Sequence, residues 1–188
     1  MSALALIACR RGVTITGCDA DPSGAADLTE LGVEVHGGHD PSHLEGARAV
    51  VVTAAVRADH PELLRARELS LPIVPRKVAL AALVGDARSV GVSGTHGKTT
   101  TTVMTTEALV AAGLEPTGLA GGRVAAWGGN ARIDGDALFV VEADEYDQAF
   151  LTLHPTVAIV NNVEADHLEG MANRPDDLTQ RCARLFIA

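Results

Sequence analysis

The sequence predicts an α/β protein in two domains, 1–86 and 87–188, each built on parallel strands. Three observations predict it. Short apolar strands alternate with helices of about ten residues, the pattern of βαβ units. Two later strands, Ala137 to Val141 and Thr156 to Val160, are continuous apolar runs, as strands covered on both faces of a parallel sheet should be. The alternation pauses at Gly85-Asp86 and then restarts, which places the boundary at 84–88.

Taken in order, Ser2 to Arg11 reads as a helix and Val13 to Thr16 as a strand running out at Gly17-Cys18-Asp19. Pro22 to Leu31 reads as a helix that Gly32 stops, followed by a strand at Val33-Glu34-Val35. Ala49 to Val52 is a buried strand, Pro61 to Glu68 a helix, Ile73-Val74 a strand and Arg76 to Leu83 a helix. The second half opens with a strand over Ser89 to Val92 and a long helix from Lys98 to Ala112, ended by Gly113. Gly118 to Gly135 is Gly-rich and reads as irregular, and Pro175 to Ile187 is helical in pattern.

Composition narrows the function. The chain has 188 residues, 47% hydrophobic and 21% charged, so it can bury a core without staples and is not a disordered polymer. Fifteen basic against 24 acidic residues leave a net charge of −9, which disfavours nucleic acid or an anionic membrane as partner. Aromatics at 3% argue against stacking platforms for single strands. No apolar run reaches the ~18 residues of a membrane helix, and Arg10-Arg11 follow the first apolar stretch rather than precede it, unlike a secretory signal. Cys9, Cys18 and Cys182 are odd in number and widely spaced, which points to the reducing cytoplasm.

Chemistry concentrates at three strand ends. Gly94-Thr95-His96-Gly97-Lys98-Thr99-Thr100 lies between a strand and a helix, where glycines let backbone wrap a phosphate and the first helical N–H groups face the anion. Lys98 would supply a point charge to β- and γ-phosphates, and the Thr99 hydroxyl would ligate Mg2+. The strict G-x-x-x-x-G-K-[ST] pattern is not met, because Val92 stands where its first glycine belongs. The run Phe139 to Asp147 leads an apolar strand into Glu142, Asp144, Glu145 and Asp147; Glu142 falls on the sheet edge that carries the loop, where a hard cation would take carboxylate oxygen. The run Ile159 to His167 ends a third strand in Asn161, Asn162, Asp166 and His167.

Elsewhere the signals are weaker. His36, His39, His43 and His60 lack zinc-like spacing, so metal binding there is not expected. Asp19, after a strand, could accept a ligand hydroxyl. Trp127 is expected to be a local packing anchor.

GTHGKTTTT at 94–102, EADEYD at 142–147 and NNVEADHLE at 161–169 together resemble the Mur ligases of peptidoglycan synthesis. GGHD at 37–40, HPELLRAR at 60–67 and GGNAR at 128–132 add to the likeness. The resemblance covers essentially the whole chain. It implies a Rossmann-like UDP-sugar-binding domain over 1–86 and part of a P-loop-type ATP-binding domain with a mainly parallel sheet over 87–188. It further implies ATP-dependent joining of L-alanine to UDP-N-acetylmuramate through an acyl phosphate. Under it, Lys98 holds the ATP phosphates, Thr99 and Glu142 ligate one Mg2+, Glu142 and His167 ligate a second, and Asn162 orients substrate or nucleotide. His96 would contact phosphate. A sibling ligase that attaches a recycled tripeptide and a noncatalytic nucleotide-binding remnant stay open as alternatives; the Val92 mismatch and the lack of a guanine-reading N-K-x-D argue against a generic P-loop kinase or GTPase.

The sequence departs from the family in three places. Under the resemblance, a first strand and Gly-rich turn of the UDP domain are expected before Met1 and a third domain after Ala188, so residues 1–188 are expected to be part of the family's full length. Asn161 stands where threonine is expected. The expectation is therefore a partial chain that binds Mg·ATP weakly and does not turn over.

Overall fold

A computed structural model describes residues 1–143 and 152–162. Their contacts divide the chain into two compact units, Met1–Leu83 and a second from Val84 onward.

The first unit runs α1 (Ser2–Arg10), β1 (Thr16–Asp19), a 3-10 turn (Pro22–Ala25), α2 (Ala26–Thr29), β2 (Glu34–Gly37), a 3-10 turn (Pro41–Leu44), β3 (Val50–Val52), α3 (Pro61–Glu68), β4 (Ile73–Pro75) and α4 (Arg76–Val84). Its strands are parallel, but they form two separate pairs, β1 with β2 and β3 with β4. Ala3, Leu4, Leu6 and Ile7 of α1 are buried with Leu28 and Val33 as the apolar core around α2. Arg11 Nη1 donates to Leu83 O at 2.8 Å, tying the end of α1 to the end of α4.

Two expectations are corrected here. The first strand begins at Thr16 rather than Val13, because Gly12 turns left-handed (φ 77°) and the Val13 N–H donates back to Ala8 O at 3.0 Å. That bond closes the C-terminus of α1, so Val13 belongs to the cap. The helix expected over Pro22 to Leu31 is broken. Asp21 accepts the Ser23 N–H at 3.1 Å and opens a 3-10 turn, and only Ala26–Thr29 is α-helical.

The second unit continues with β5 (Arg88–Ser93), α5 (Lys98–Ala111), β6 (Thr117–Val124), a 3-10 turn (Ala125–Trp127), β7 (Gly129–Ile133), β8 (Leu138–Glu142) and β9 (Val157–Val160). They make one sheet in the order β7-β6-β8-β5-β9, parallel except for β6 against β7. The Gly-rich stretch expected to be irregular is therefore an antiparallel hairpin, and the sheet is mixed. β8 sits in the middle with Phe139, Val140 and Val141 at most 1% exposed, as its apolar run predicts. β9 is instead an edge strand among the described residues, with Val157 52% exposed, since only β5 pairs with it.

Helix α5 is rich in threonine, a weak helix former, so tertiary packing must hold it. Thr102 and Thr106 are fully buried, and Thr106 Oγ1 returns its hydrogen bond to Thr102 O at 2.8 Å. No helix among the described residues is long and apolar enough to cross a membrane. The tail expected to be helical, Pro175 to Ile187, lies outside the described residues.

Candidate functional site

The loop between β5 and α5 is shaped by two glycines that no other residue could replace without strain. Gly94 has φ 130° and Gly97 φ 79°. A Cβ on Gly94 would also stand 3.0 Å from Asn162 O and 3.1 Å from the Asn161 nitrogen. Backbone approaches backbone there because β9 runs on beside the loop: the Asn161 N–H donates to Ser93 O at 3.0 Å and the Thr95 N–H to Asn162 O at 3.1 Å.

The two asparagine side chains then fasten the loop. Asn162 Oδ1 accepts the His96 N–H at 2.8 Å, while Asn161 Nδ2 and Asn162 Nδ2 donate to His96 O at 3.1 and 3.2 Å. Thr101 Oγ1 on the first turn of α5 donates to Asn161 Oδ1 at 3.2 Å. Asn161 was legible only as a departure from an expected threonine; in the fold it ties the loop to the helix.

Helix α5 starts at Lys98, with the Thr101 N–H bonding Gly97 O at 2.9 Å. The N–H groups of Lys98, Thr99 and Thr100 have no intrahelical acceptor, the usual setting for an anion. Lys98 Nζ curls over the loop and donates to Gly94 O at 2.7 Å and Thr95 O at 3.2 Å. That places the ammonium on the loop itself, against the Gly94 and Thr95 carbonyls.

Glu142 arrives from the C-terminal end of β8, in register with Val92 of β5. Its Oε1 accepts from Thr99 Oγ1 at 3.1 Å and its Oε2 from the Gly121 N–H at 2.6 Å. Gly121 was not singled out from the sequence, yet a Cβ there would lie 2.6 Å from the Glu142 carboxylate. Thr99 Oγ1 and Glu142 Oε1 thus stand side by side at hydrogen-bond distance, two hard oxygens of the kind a magnesium-class cation would take.

The structure thus brings together Gly94, Thr95, His96, Gly97, Lys98, Thr99, Glu142 and Asn162. Thr100 is on the first turn of α5 but exposed, as is His96. His167, with Asp144, Glu145, Asp147 and Asp166, lies outside the described residues. Trp127 packs on β6, where a Cβ on Gly118 would meet its ring at 2.9 Å, and its Nε1 donates to Glu107 at 2.6 Å.

In the first unit, the ends of β1 and β2 and the start of α3 gather residues that sequence spacing kept apart. Glu62, in the first turn of α3 and 7% exposed, receives the Cys18 thiol at 3.1 and 3.2 Å, His43 Nδ1 at 3.1 Å and the Asp40 N–H at 3.2 Å. His39 Nδ1 lies 3.6 Å from its Oε2. Burial would raise the Glu62 carboxyl, but the hydrogen bonds from Cys18 and His43, with His39 and the Asp40 N–H, outweigh it and hold it below the usual carboxylate range. Burial first, and then the Glu62 carboxylate, push the Cys18 thiol up to about 12.

A strand, a glycine loop and a helix opening on Lys-Thr, with a carboxylate from the adjacent parallel strand, define an α/β protein of the P-loop type. The chain belongs to the Mur ligase family: residues 1–88 match its profile "Mur ligase family, catalytic domain" and residues 92–186 match "Mur ligase middle domain". The UDP-N-acetylmuramate–L-alanine ligases of Burkholderia pseudomallei (strain 668) and Burkholderia mallei (strain SAVP1) are each 44% identical to it over 170 residues, 90% of this chain. The chain spans 37% of the length of those relatives.

Among solved structures, the UDP-N-acetylmuramate-alanine ligase MurC of Thermotoga maritima is similar with a TM-score of 0.88 and 28% identity, over 98% of this chain and 44% of that one. The UDP-N-acetylmuramate:L-alanyl-gamma-D-glutamyl-meso-diaminopimelate ligase of Neisseria meningitides gives 0.85 and 31%, over 98% and 63%.

Proposed function

We propose that this chain carries the UDP-sugar-binding part, over residues 1–86, and the ATP-binding part, over 87–188, of a cytoplasmic ligase that joins L-alanine to UDP-N-acetylmuramate. The observation that carries the reading is the constellation at the start of α5: Lys98 Nζ on the Gly94 carbonyl of the glycine loop, the first turn of the helix beside it, and the Thr99–Glu142 oxygens 3.1 Å apart. The likeness to alanine-adding relatives at 44% identity supports the choice of amino acid.

In this reading the substrate's lactyl carboxylate takes the γ-phosphoryl group of ATP, giving an acyl phosphate and ADP. The alanine amine then attacks the acyl carbon, and phosphate leaves from the tetrahedral intermediate as the amide forms. The residues here position groups and offset negative charge rather than react themselves. Lys98 leaves the Gly94 and Thr95 carbonyls for phosphate oxygens and follows charge onto the transferring group. The loop N–H groups hold the phosphate chain, and Asn162 keeps the loop in its open arc by bonding both backbone polar atoms of His96. His96 itself stands at the exposed lip, within reach of a phosphate. Thr99 and Glu142 would hold one Mg2+, and Glu142 with His167 a second; bound there, the ions neutralise phosphate charge.

Calorimetric titration with a nonhydrolysable ATP analogue and Mg2+, beside Lys98→Ala, tests the nucleotide half. Charge-assisted hydrogen bonds are worth about 1.5–3 kcal/mol, so the variant should bind at least tenfold more weakly. Equal binding by parent and variant, or none by a folded parent, would overturn the reading in favour of a noncatalytic remnant. Titration with UDP-N-acetylmuramate tests the other half in the same way. The 31% identity to the tripeptide-adding ligase favours a second reading, in which the joined amine belongs to a recycled tripeptide. ADP formation that depends on tripeptide rather than L-alanine would decide for it.

A further inference from the structure

We propose that Cys18, His39 and Glu62 form a three-ligand site for a zinc-class divalent cation, with a fourth position left for water or a ligand. Their donor atoms all lie within 4.8 Å of one another. Cys18 Sγ is 3.1 Å and His39 Nδ1 3.6 Å from Glu62 Oε2. Donors around a tetrahedral zinc with ordinary bond lengths stand about 3.3–3.6 Å apart, so small side-chain rotations close the set.

The chemistry of the donors selects the ion. A sulfur, an imidazole nitrogen and one carboxylate oxygen suit Zn2+ or Co2+ and not Mg2+ or Ca2+, which prefer all-oxygen shells. On binding, the Cys18 S–H bond breaks, its proton passes to solvent and a metal–sulfur bond forms. Thiolate, carboxylate and neutral imidazole then offset the charge of a divalent ion, which leaves a neutral complex in a half-buried place.

The surroundings are those of a ligand set. The second oxygen of Glu62, Oε1, is already held by His43 Nδ1 at 3.1 Å and by the Asp40 N–H at 3.2 Å. Such outer hydrogen bonds fix a carboxylate for a metal. His60 Nδ1 is buried without a hydrogen-bond partner and lies 4.0 Å from Oε2. An orphaned buried nitrogen facing the same oxygen points to a group that the protein alone does not supply. The His39 side chain is 37% exposed, which gives an ion a way in. Pro61 opens α3 so that Glu62 falls in its first turn, and Gly38 turns left-handed (φ 82°) to carry His39 back over β1. Cys18 and Glu62 are 44 residues apart, which is why spacing concealed the set.

The test is a Co2+ titration of the reduced 188-residue chain with excess Mg2+ present, read by absorption. One equivalent should bind and give a thiolate-to-cobalt charge-transfer band. Cys18→Ser should abolish the band, His39→Gln should weaken binding by roughly tenfold or more, and Cys9→Ser should change neither. Circular dichroism checks each variant's fold; if Cys18→Ser does not fold, His39→Gln decides alone. No band, a band that survives Cys18→Ser, or unchanged affinity in His39→Gln would overturn the proposal and leave Glu62 as a hydrogen-bonding hub. Because the site shares no residue with the loop at Lys98, loss of nucleotide binding would leave this result unaffected.

Discussion

Asn162 and Gly121 mark what single residues disclose and conceal. Asn162 was legible because a polar residue at the end of a buried strand invites a functional reading. Its partner Asn161 was not, since nothing in the sequence says that its amide reaches His96 and Thr101. Asn162→Ala removes the acceptor of the His96 N–H and one donor to His96 O, so the loop should lose its arc. Affinity for the nonhydrolysable ATP analogue should fall by about tenfold, given ~1 kcal/mol per neutral hydrogen bond, with little change in far-ultraviolet circular dichroism. Gly121 has no side chain to attract notice. Its value is its N–H on Glu142 and the room above it. Gly121→Ala should push the Glu142 carboxylate off Thr99 and weaken the Mg2+ dependence of analogue binding, while thermal unfolding changes little because what the new methyl meets is the far end of a flexible side chain.

At the scale of elements, β5, α5 and β8 were legible because their signals are redundant: an apolar run, a glycine stop and a helix start agree. The β6–β7 hairpin was not, because glycines at 118, 121, 122, 128 and 129 erase the alternation that marks a strand. Contacts on α5 specify it instead. Gly118 lies under Thr106 and Trp127, where a Cβ would meet Thr106 Oγ1 at 2.6 Å. Gly118→Ala should therefore destabilise the second unit by about 1–3 kcal/mol, the usual cost of overpacking, in urea unfolding followed by Trp127 fluorescence. Trp127 also reports on pH. Its indole N–H, followed by Arg132, holds Glu107 below the usual carboxylate range. A depressed carboxyl stabilises above its unfolded value and loses that contribution as pH falls through its folded one. Fluorescence of this single tryptophan should thus stay level down to about pH 4.3 and shift below it; a shift centred near neutrality would disprove the assignment.

For the whole molecule, the contacts divide into Met1–Leu83 and a second unit from Val84 onward, so under the proposed function each ligand should act on one unit. Mg2+ with the ATP analogue at 100 times its Kd should stabilise the second unit by about 2.7 kcal/mol. Hydrogen exchange should slow across β5, α5 and β8 and leave α1 to β4 unchanged. A zinc-class ion should slow exchange at β1, β2 and α3 alone. The alternation of strands and helices made the α/β class legible across the described residues. The separation of the first unit's strands into two pairs was not, because pairing is a property of neighbours in space that no local pattern encodes.

The fastening of the glycine loop by Asn161 and Asn162 also sets a schedule. The loop and its clamp are 65 and 66 residues apart, so the contact that finishes the site is among the most non-local in the unit. Contacts of high sequence separation close late in folding. During synthesis at 5–20 residues per second, roughly 3–13 s pass between translation of the loop and translation of the asparagines that hold it. A nascent chain therefore displays its glycine loop well before the asparagines that fasten it exist, and under the proposed function nucleotide binding should arrive only after β9 has been made.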